Sequence, residues 1–239
     1  MKINIEDFDW IFFDCFNTLI DDFDEHGDES GLGSLPSLAV ELGFFVSSAA
    51  FVAAYAHARA FRQDGRETLL PERLTHALSL TSHHHKVGEI AHAVSRMQER
   101  WEEEYHRMIR PTPGASEMLT YWSARKPTGV VSNFFLPRRP ESYLERFGMR
   151  SHFRFVVDSA EFGYRKPNHR IFHHAFAQAR LSVTDARRVL YIGDRNDLDV
   201  RPARQLGMRV LHFNRSRHRS GVEATIDGVA AIYDWTDFR

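Results

Sequence analysis

The chain has 239 residues, 43% hydrophobic and 26% charged, with a net charge of −1. That length supports one large domain or a core with a small accessory domain. The near-neutral charge excludes a global attraction to nucleic acid or to anionic membranes. Cys15 is the only cysteine, so no intramolecular disulfide can form, which fits a reducing, cytoplasmic setting. No apolar run approaches the ~20 residues of a membrane helix, and the opening MKINIEDFDW is too acidic for a signal peptide.

Residues 10–13, WIFF, form a continuous apolar run that ends at Asp14. Such a run is expected of a strand buried on both faces of a parallel sheet. It sets Asp14 at the strand's carboxyl end, where open α/β sheets bind ligands. Cys15, beside it, reads as a small buried apolar residue rather than a reactive thiol. Residues 21–37, DDFDEHGDESGLGSLPS, have loop composition and are expected to carry a flap and a linker out of the core.

Residues 38–110 read as mostly helical, with helices over 49–61, 69–80 and 87–108. The last has a clear stripe at spacings of three and four: Val87, Ile90, Ala91, Val94, Met97, Trp101, Tyr105 and Met108. The run RPTPG at 110–114 breaks it. His83, His84 and His85 are consecutive, so they cannot all face one way, and they read as a solvated helix start rather than a metal site.

From residue 115 short apolar strands alternate with helices. Helices are expected over 117–125, 138–147, 167–180 and 197–206, the last closed by Gly207. Strands are expected over 128–131, 153–157, 188–192 and 209–213. Alternation of this kind means an α/β fold with a parallel sheet, here with a helical insert between its first and second strands.

Polar clusters follow the strands or open the helices: Asp14 with Thr18, Ser132 with Asn133, Lys166, and Asp194 with Asp197 and Asp199. In a parallel sheet all strand ends lie along one edge, so the clusters can converge. Crowded carboxylates repel and raise one another's pKa. A hard divalent cation such as Mg²⁺ removes that penalty. A lysine and a hydroxyl beside the ion suit an oxyanion such as phosphate, and an aspartate at a strand tip can attack phosphorus.

The segments DCFNTL, VVSN, YRKP and YIGDRNDLD stand in this order. They resemble motifs I to IV of the haloacid dehalogenase (HAD) superfamily. PTPGASEML and FGYRKPNHRIF also look like the phosphatase-type branch with a helical cap after motif I. The resemblance implies a Rossmann-like core over 1–21 and 111–239 and a cap domain over 22–110. It implies Asp14 as nucleophile and Mg²⁺ ligand, and Thr18 and Ser132 holding the transferring group with Asn133 nearby. Lys166 would neutralise charge. Asp194 would ligate Mg²⁺, and Asp199 or Asp197 would orient the metal's water shell. For Asp197 a helix N-terminal charge complementing the dipole is an equal alternative.

One position departs from the motif D-x-D-x-T-L: the second Asp is Phe16. In the phosphatases that residue is the general acid and base, while its backbone carbonyl binds Mg²⁺. Phe16 can offer the carbonyl but no proton. General acid–base help is worth ~10²–10⁴-fold. Three readings follow, in order of preference. The first is a Mg²⁺-dependent phosphatase of a small phosphorylated metabolite, with a reactive substrate or another proton donor. The second is a 2-haloacid dehalogenase, which also has an aromatic residue here because halide leaves without a proton. Against it, such enzymes replace the motif IV Asp by Ser and use an Arg early in the cap, whereas Asp194 is present and residues 21–40 lack Arg. The third is a non-catalytic binding protein.

The expected partner is a small anionic substrate bound by a monomer or homodimer, with no nucleic acid and no membrane. Tyr55, Arg59, Arg62, Arg66, Arg138 and Arg139 are candidates for substrate choice, each weighed against a surface Arg with a buried aliphatic stem. Arg215, Arg217, His218 and Arg219 read as a basic surface loop.

Overall fold

A computed structural model describes residues 5–23, 31–59, 64–80, 85–214 and 228–238. The expectations for Arg62, His83, His84 and the basic loop at 215–219 lie outside them.

The sequence opens with β1, Trp10–Phe13, and β2, Ile20–Asp21. Four helices follow: α1 Leu35–Glu41, α2 Ser48–Arg59, α3 Leu70–Ser79 and α4 Val87–Met108. Then come β3 Arg110–Pro111, α5 Ala115–Ser123, β4 Thr128–Ser132, α6 Arg139–Arg146, β5 Phe155–Asp158 and α7 Ser159–Phe162. The chain continues through α8 His169–Gln178, β6 Val189–Gly193, α9 Arg201–Gln205, β7 Arg209–Phe213 and β8 Ala230–Ile232.

Six parallel strands make the main sheet, in the order β5-β4-β1-β6-β7-β8. Counted by appearance in the core this is 3-2-1-4-5-6, the Rossmann order. It reverses direction between β1 and β6, where such sheets bind ligands. Both faces of β1 are covered. Ile11 and Phe13 pack with Leu190, Ile192, Leu211 and Trp235, while Phe12 packs on the opposite face with Phe155, Phe172 and Phe176. Truncating such a ring costs about 3–5 kcal/mol. The strand therefore reads as unbroken apolar sequence rather than alternation.

Helices α1 to α4 lie between β2 and β3, which pair antiparallel with Ile20 opposite Pro111 and Asp21 opposite Arg110. Thr112 Oγ1 donates to Asp21 at 2.6 Å. Helix α4 buries Ile90, Ala93, Val94, Met97, Trp101 and Tyr105 and starts where Glu89 accepts from the Lys86 N–H at 2.8 Å. Backbone bonds tie the segment before α3 to the core: Glu67 N–H to Gly163 O, Arg165 N–H to Gly65 O and Leu70 N–H to Phe135 O. His85 stacks on Phe44 with centroids 4.1 Å apart.

Three expectations are corrected. The loop read over 21–37 gives way to α1 from Leu35, which Pro36 in the first turn favours. The β2–β3 ribbon and the sixth strand, β8, were not anticipated, being only two and three residues long. The helix read over 197–206 is two pieces, a π turn at Asn196–Val200 followed by α9. No helix among the described residues is long and apolar enough to cross a membrane.

Candidate functional site

The loop after β1 is tight. Leu19 and Ile20 N–H both reach Cys15 O, Asn17 takes a left-handed backbone at φ 59°, and Trp235 Nε1 donates to Thr18 O at 3.1 Å. Asn tolerates that conformation better than most residues. The loop holds Asp14 over the β1–β6 junction, with its N–H on Ile192 O at 2.8 Å. Thr18 Oγ1 donates to Asp14 Oδ2 at 3.0 Å, which orients the carboxylate.

Lys166 is buried. Its Nζ stands 2.6 Å from Asp14 Oδ1 and 2.6 Å from Asp199 Oδ1. Tyr191 closes the group, accepting from Lys166 Nζ at 3.2 Å and donating to Asp199 Oδ1 at 2.9 Å. Burial disfavours the Lys166 ammonium, but Asp14 and Asp199 outweigh it and hold the pKa above the usual lysine value. Burial pushes Asp199 up despite Lys166, and Asp14 adds to the rise. The Lys166 backbone is clamped by Asn133, whose Nδ2 donates to Lys166 O at 3.0 Å and whose Oδ1 accepts from Lys166 N–H at 2.7 Å. Asn133 therefore positions the lysine.

Asp194 follows β6 directly, and Asp199 is carried back to it by the π turn. Arg195 N–H donates to Asp199 Oδ2 at 3.1 Å. Gly193 is required here, because a Cβ would meet Asp199 Cγ at 2.5 Å. One carboxylate oxygen each from Asp14, Asp194 and Asp199 lies within 4.8 Å of the others, and all three residues are buried. Asp197 turns away and bonds Arg195 through both carboxylate oxygens, at 3.0 and 3.1 Å. Ser132, at the end of β4, is fully buried, and its Oγ has no hydrogen-bond partner among the described residues. A buried hydroxyl left unpaired calls for an explanation, and a bound oxyanion is one. Cys15 is buried, and burial followed by Asp14 raises its thiol pKa, the opposite of a reactive thiolate.

A cavity of about 470 Å³ opens over this group. Asp14, Lys166, Asp194 and Asp199 line one end, and Asn133 lines it too; Thr18 and Ser132 lie behind the lining. Phe16 forms part of the wall, 8% exposed. Its ring lies 4.6 Å from Phe134 and edge-on to Tyr105 and Tyr143 at 6.1 and 6.3 Å. Of the proposed specificity residues, Tyr55 and Arg59 line the cavity. Arg66 pairs instead with Asp64, Arg139 pairs with Glu102, and the Arg138 N–H caps Asp158.

Sequence reasoning missed Tyr191, Asp22, Glu67, Arg73 and Arg165. Tyr191 was visible only as one of five strand residues. Arg165 adjoins Lys166 in YRKP and could have been weighed with it.

Residues 8–207 match the family of haloacid dehalogenase-like hydrolases. The chain belongs to that family. It is 34% identical over 113 residues to the pyrimidine 5'-nucleotidase of Escherichia coli (strain K12), covering 47% of this chain and 48% of that protein. It is 28% identical over 113 residues to the glyceraldehyde 3-phosphate phosphatase of Methanocaldococcus jannaschii, again 47% of this chain and 48% of that one. The matched stretch thus spans about half the length of these relatives. Among solved structures, a 2-haloacid dehalogenase from Pseudomonas syringae pv. Tomato DC3000 superposes with a TM-score of 0.72 at 21% identity, over 96% of each chain. That likeness speaks for the fold. This HAD hydrolase thus has phosphatase-like and dehalogenase-like neighbours.

Proposed function

We propose that this HAD hydrolase is a Mg²⁺-dependent phosphatase acting on a small phosphorylated metabolite through an aspartyl-phosphate at Asp14. One observation carries the reading: three buried carboxylates, Asp14, Asp194 and Asp199, each bring an oxygen within 4.8 Å of the others, and Lys166 contacts Asp14 and Asp199. Carboxylate oxygens gathered that closely repel one another, and a bound cation removes the repulsion. The donor set is all oxygen, which suits Mg²⁺. Asp14, Asp194 and Asp199, with the backbone carbonyl of Phe16, would hold the ion. Bound there, it would neutralise the phosphoryl oxygens and polarise phosphorus.

The chain's own residues then do the following. Thr18 fixes the Asp14 carboxylate, so the oxygen facing the cavity attacks phosphorus. A bond forms from Asp14 to phosphorus, and the bond to the alcohol oxygen breaks. Lys166 stabilises charge on the transferring group. The departing alkoxide takes its proton from water, because Phe16 has none to give. Water then attacks phosphorus, freeing phosphate and regenerating Asp14. Without a positioned acid, substrates with good leaving groups are favoured.

The test is phosphate release from an aryl phosphate, with and without Mg²⁺, alongside Asp14→Asn. Mg²⁺-dependent release that disappears in the variant is expected. Release that persists in Asp14→Asn overturns the covalent reading.

A second reading, 2-haloacid dehalogenase, is favoured by Phe16, whose ring presents an apolar wall to the cavity. Asp14 would attack carbon and expel halide without a proton. Halide release from 2-chloropropionate, with no phosphate release, would establish it.

A further inference from the structure

The cavity is lined by basic side chains as well as acidic ones. Arg59, in the last turn of α2, lines it together with Arg73 of α3 and Arg165, the residue before Lys166. One carboxylate, Glu67, stands against two of these guanidiniums. Glu67 Oε1 takes Arg73 Nη2 at 2.9 Å. Its Oε2 accepts from Ser159 Oγ at 2.7 Å and stands 3.8 Å from Arg165 Nε, beyond hydrogen-bond distance. Arg59 has no ion pair among the described residues. Arg165 is half-buried. Burial lowers its guanidinium pKa, with Glu67 opposing and Arg73, Arg59 and Arg195 adding to the fall. Guanidiniums that line one cavity favour an anion bound among them.

Phe16, Trp101, Tyr105 and Phe134 give the same cavity an aromatic wall. Trp101 and Tyr105 are stacked with centroids 4.6 Å apart. The wall offers apolar contact and few hydrogen bonds, so polarity in a ligand belongs at its ends.

We propose that Arg59 and Arg165 form a second anion site, and that the substrate is a phosphate ester carrying a carboxylate. The phosphoryl group sits at the Asp14 end and the carboxylate at the arginine end. A carboxylate fits because its two oxygens match the guanidinium fork, and because among the described residues Glu67 hydrogen-bonds Arg73 but stands beyond hydrogen-bond distance of Arg165 and makes no ion pair with Arg59. The inference deepens the phosphatase reading and rests on it for the reacting group.

Two ligands of nearly equal size separate the issues. 3-Phosphoglycerate carries a carboxylate where glycerol 3-phosphate carries a hydroxymethyl group. Binding of each to the Asp14→Asn protein is followed through the fluorescence of Trp101 in the cavity wall and by calorimetry. 3-Phosphoglycerate is expected to bind at least about tenfold more tightly, a difference of about 1.4 kcal/mol. Arg165→Gln should erase most of that preference. Arg59→Gln, at an exposed position with no risk to folding, should reduce it on its own. In otherwise wild-type protein the same substitutions should raise KM for 3-phosphoglycerate more than they lower kcat. Equal affinity for the two ligands, no binding of 3-phosphoglycerate, or a preference that survives both substitutions overturns the second site. Preferential binding with no hydrolysis of either compound by the wild-type protein leaves the anion site standing and removes the phosphatase reading instead.

Discussion

The ring of Phe16 lies on that of Phe134, with centroids 4.6 Å and planes 23° apart. The Phe16 side chain is thus built into an aromatic cluster with Tyr105 and Tyr143. Phe16→Asp should restore a proton donor and raise turnover of an alkyl phosphate by about 10²-fold, the lower end of general acid catalysis. The gain should be much smaller on an aryl phosphate, whose leaving group needs no acid. The same change should cost about 3 kcal/mol of stability by removing a buried ring. Rates on the two esters, with a urea melt, check both. No selective gain would mean that another cavity group already supplies the proton.

Gly193 lets the Asp199 carboxylate approach the strand end, where a Cβ would meet it at 2.5 Å. Gly193→Ala should push Asp199 away from Lys166 and lower kcat by about 10²-fold, since small misplacements in a reacting site cost that much. The circular dichroism spectrum should stay unchanged. Full activity would show that the Lys166–Asp199 contact is dispensable.

Asp194→Asn removes one charged oxygen from the buried carboxylate group. The Mg²⁺ concentration for half-maximal activity should rise at least about tenfold, because an amide is a poorer ligand for a hard cation. Calorimetric titration of Mg²⁺ should show the same weakening without substrate. An unaltered titration would place the metal elsewhere.

Asp158 caps α7, accepting from Ala160 N–H at 2.9 Å and from Arg138 N–H at 2.7 Å. Burial raises its pKa to about 7 against those two bonds. In the unfolded chain the group titrates near ~4. Between those values the folded state holds a proton that the unfolded state has lost, so stability should fall as pH rises from about 4 to about 7 and then level off. Asp158→Asn should flatten that part of the profile, keeping the cap on Ala160 N–H and losing the bond from Arg138 N–H at a cost of about 1 kcal/mol. Thermal melts across the range decide it, and a slope unchanged in the variant would assign the drift to other groups.

Much of this architecture is written in local pattern. The WIFF run marks a strand covered on both faces, since Ile11 and Phe13 need one apolar layer and Phe12 another. The three-and-four spacing from Ile90 to Tyr105 encodes α4, whose bounds match the reading. The departure at Phe16 is equally plain, because it is a single residue in a fixed motif. Other features depend on partners far along the chain. The β2–β3 ribbon joins Ile20 to Pro111, and strands of two residues have no periodicity to detect. That Asp199 rather than Asp197 turns inward follows from a π turn, which shifts the side-chain phase that a regular helix would set. Trp101 and Tyr105 looked like core positions in a helical stripe, and they are buried, yet they also wall the cavity. The sharing of Glu67 among Arg73, Arg165 and Ser159 joins segments nearly a hundred residues apart. The sequence by itself determined the longer strands and helices, such as β1 and α4, because those periods depend on near neighbours. Only the tertiary structure decided which charges meet, because that depends on strand order and on the side-chain directions it imposes.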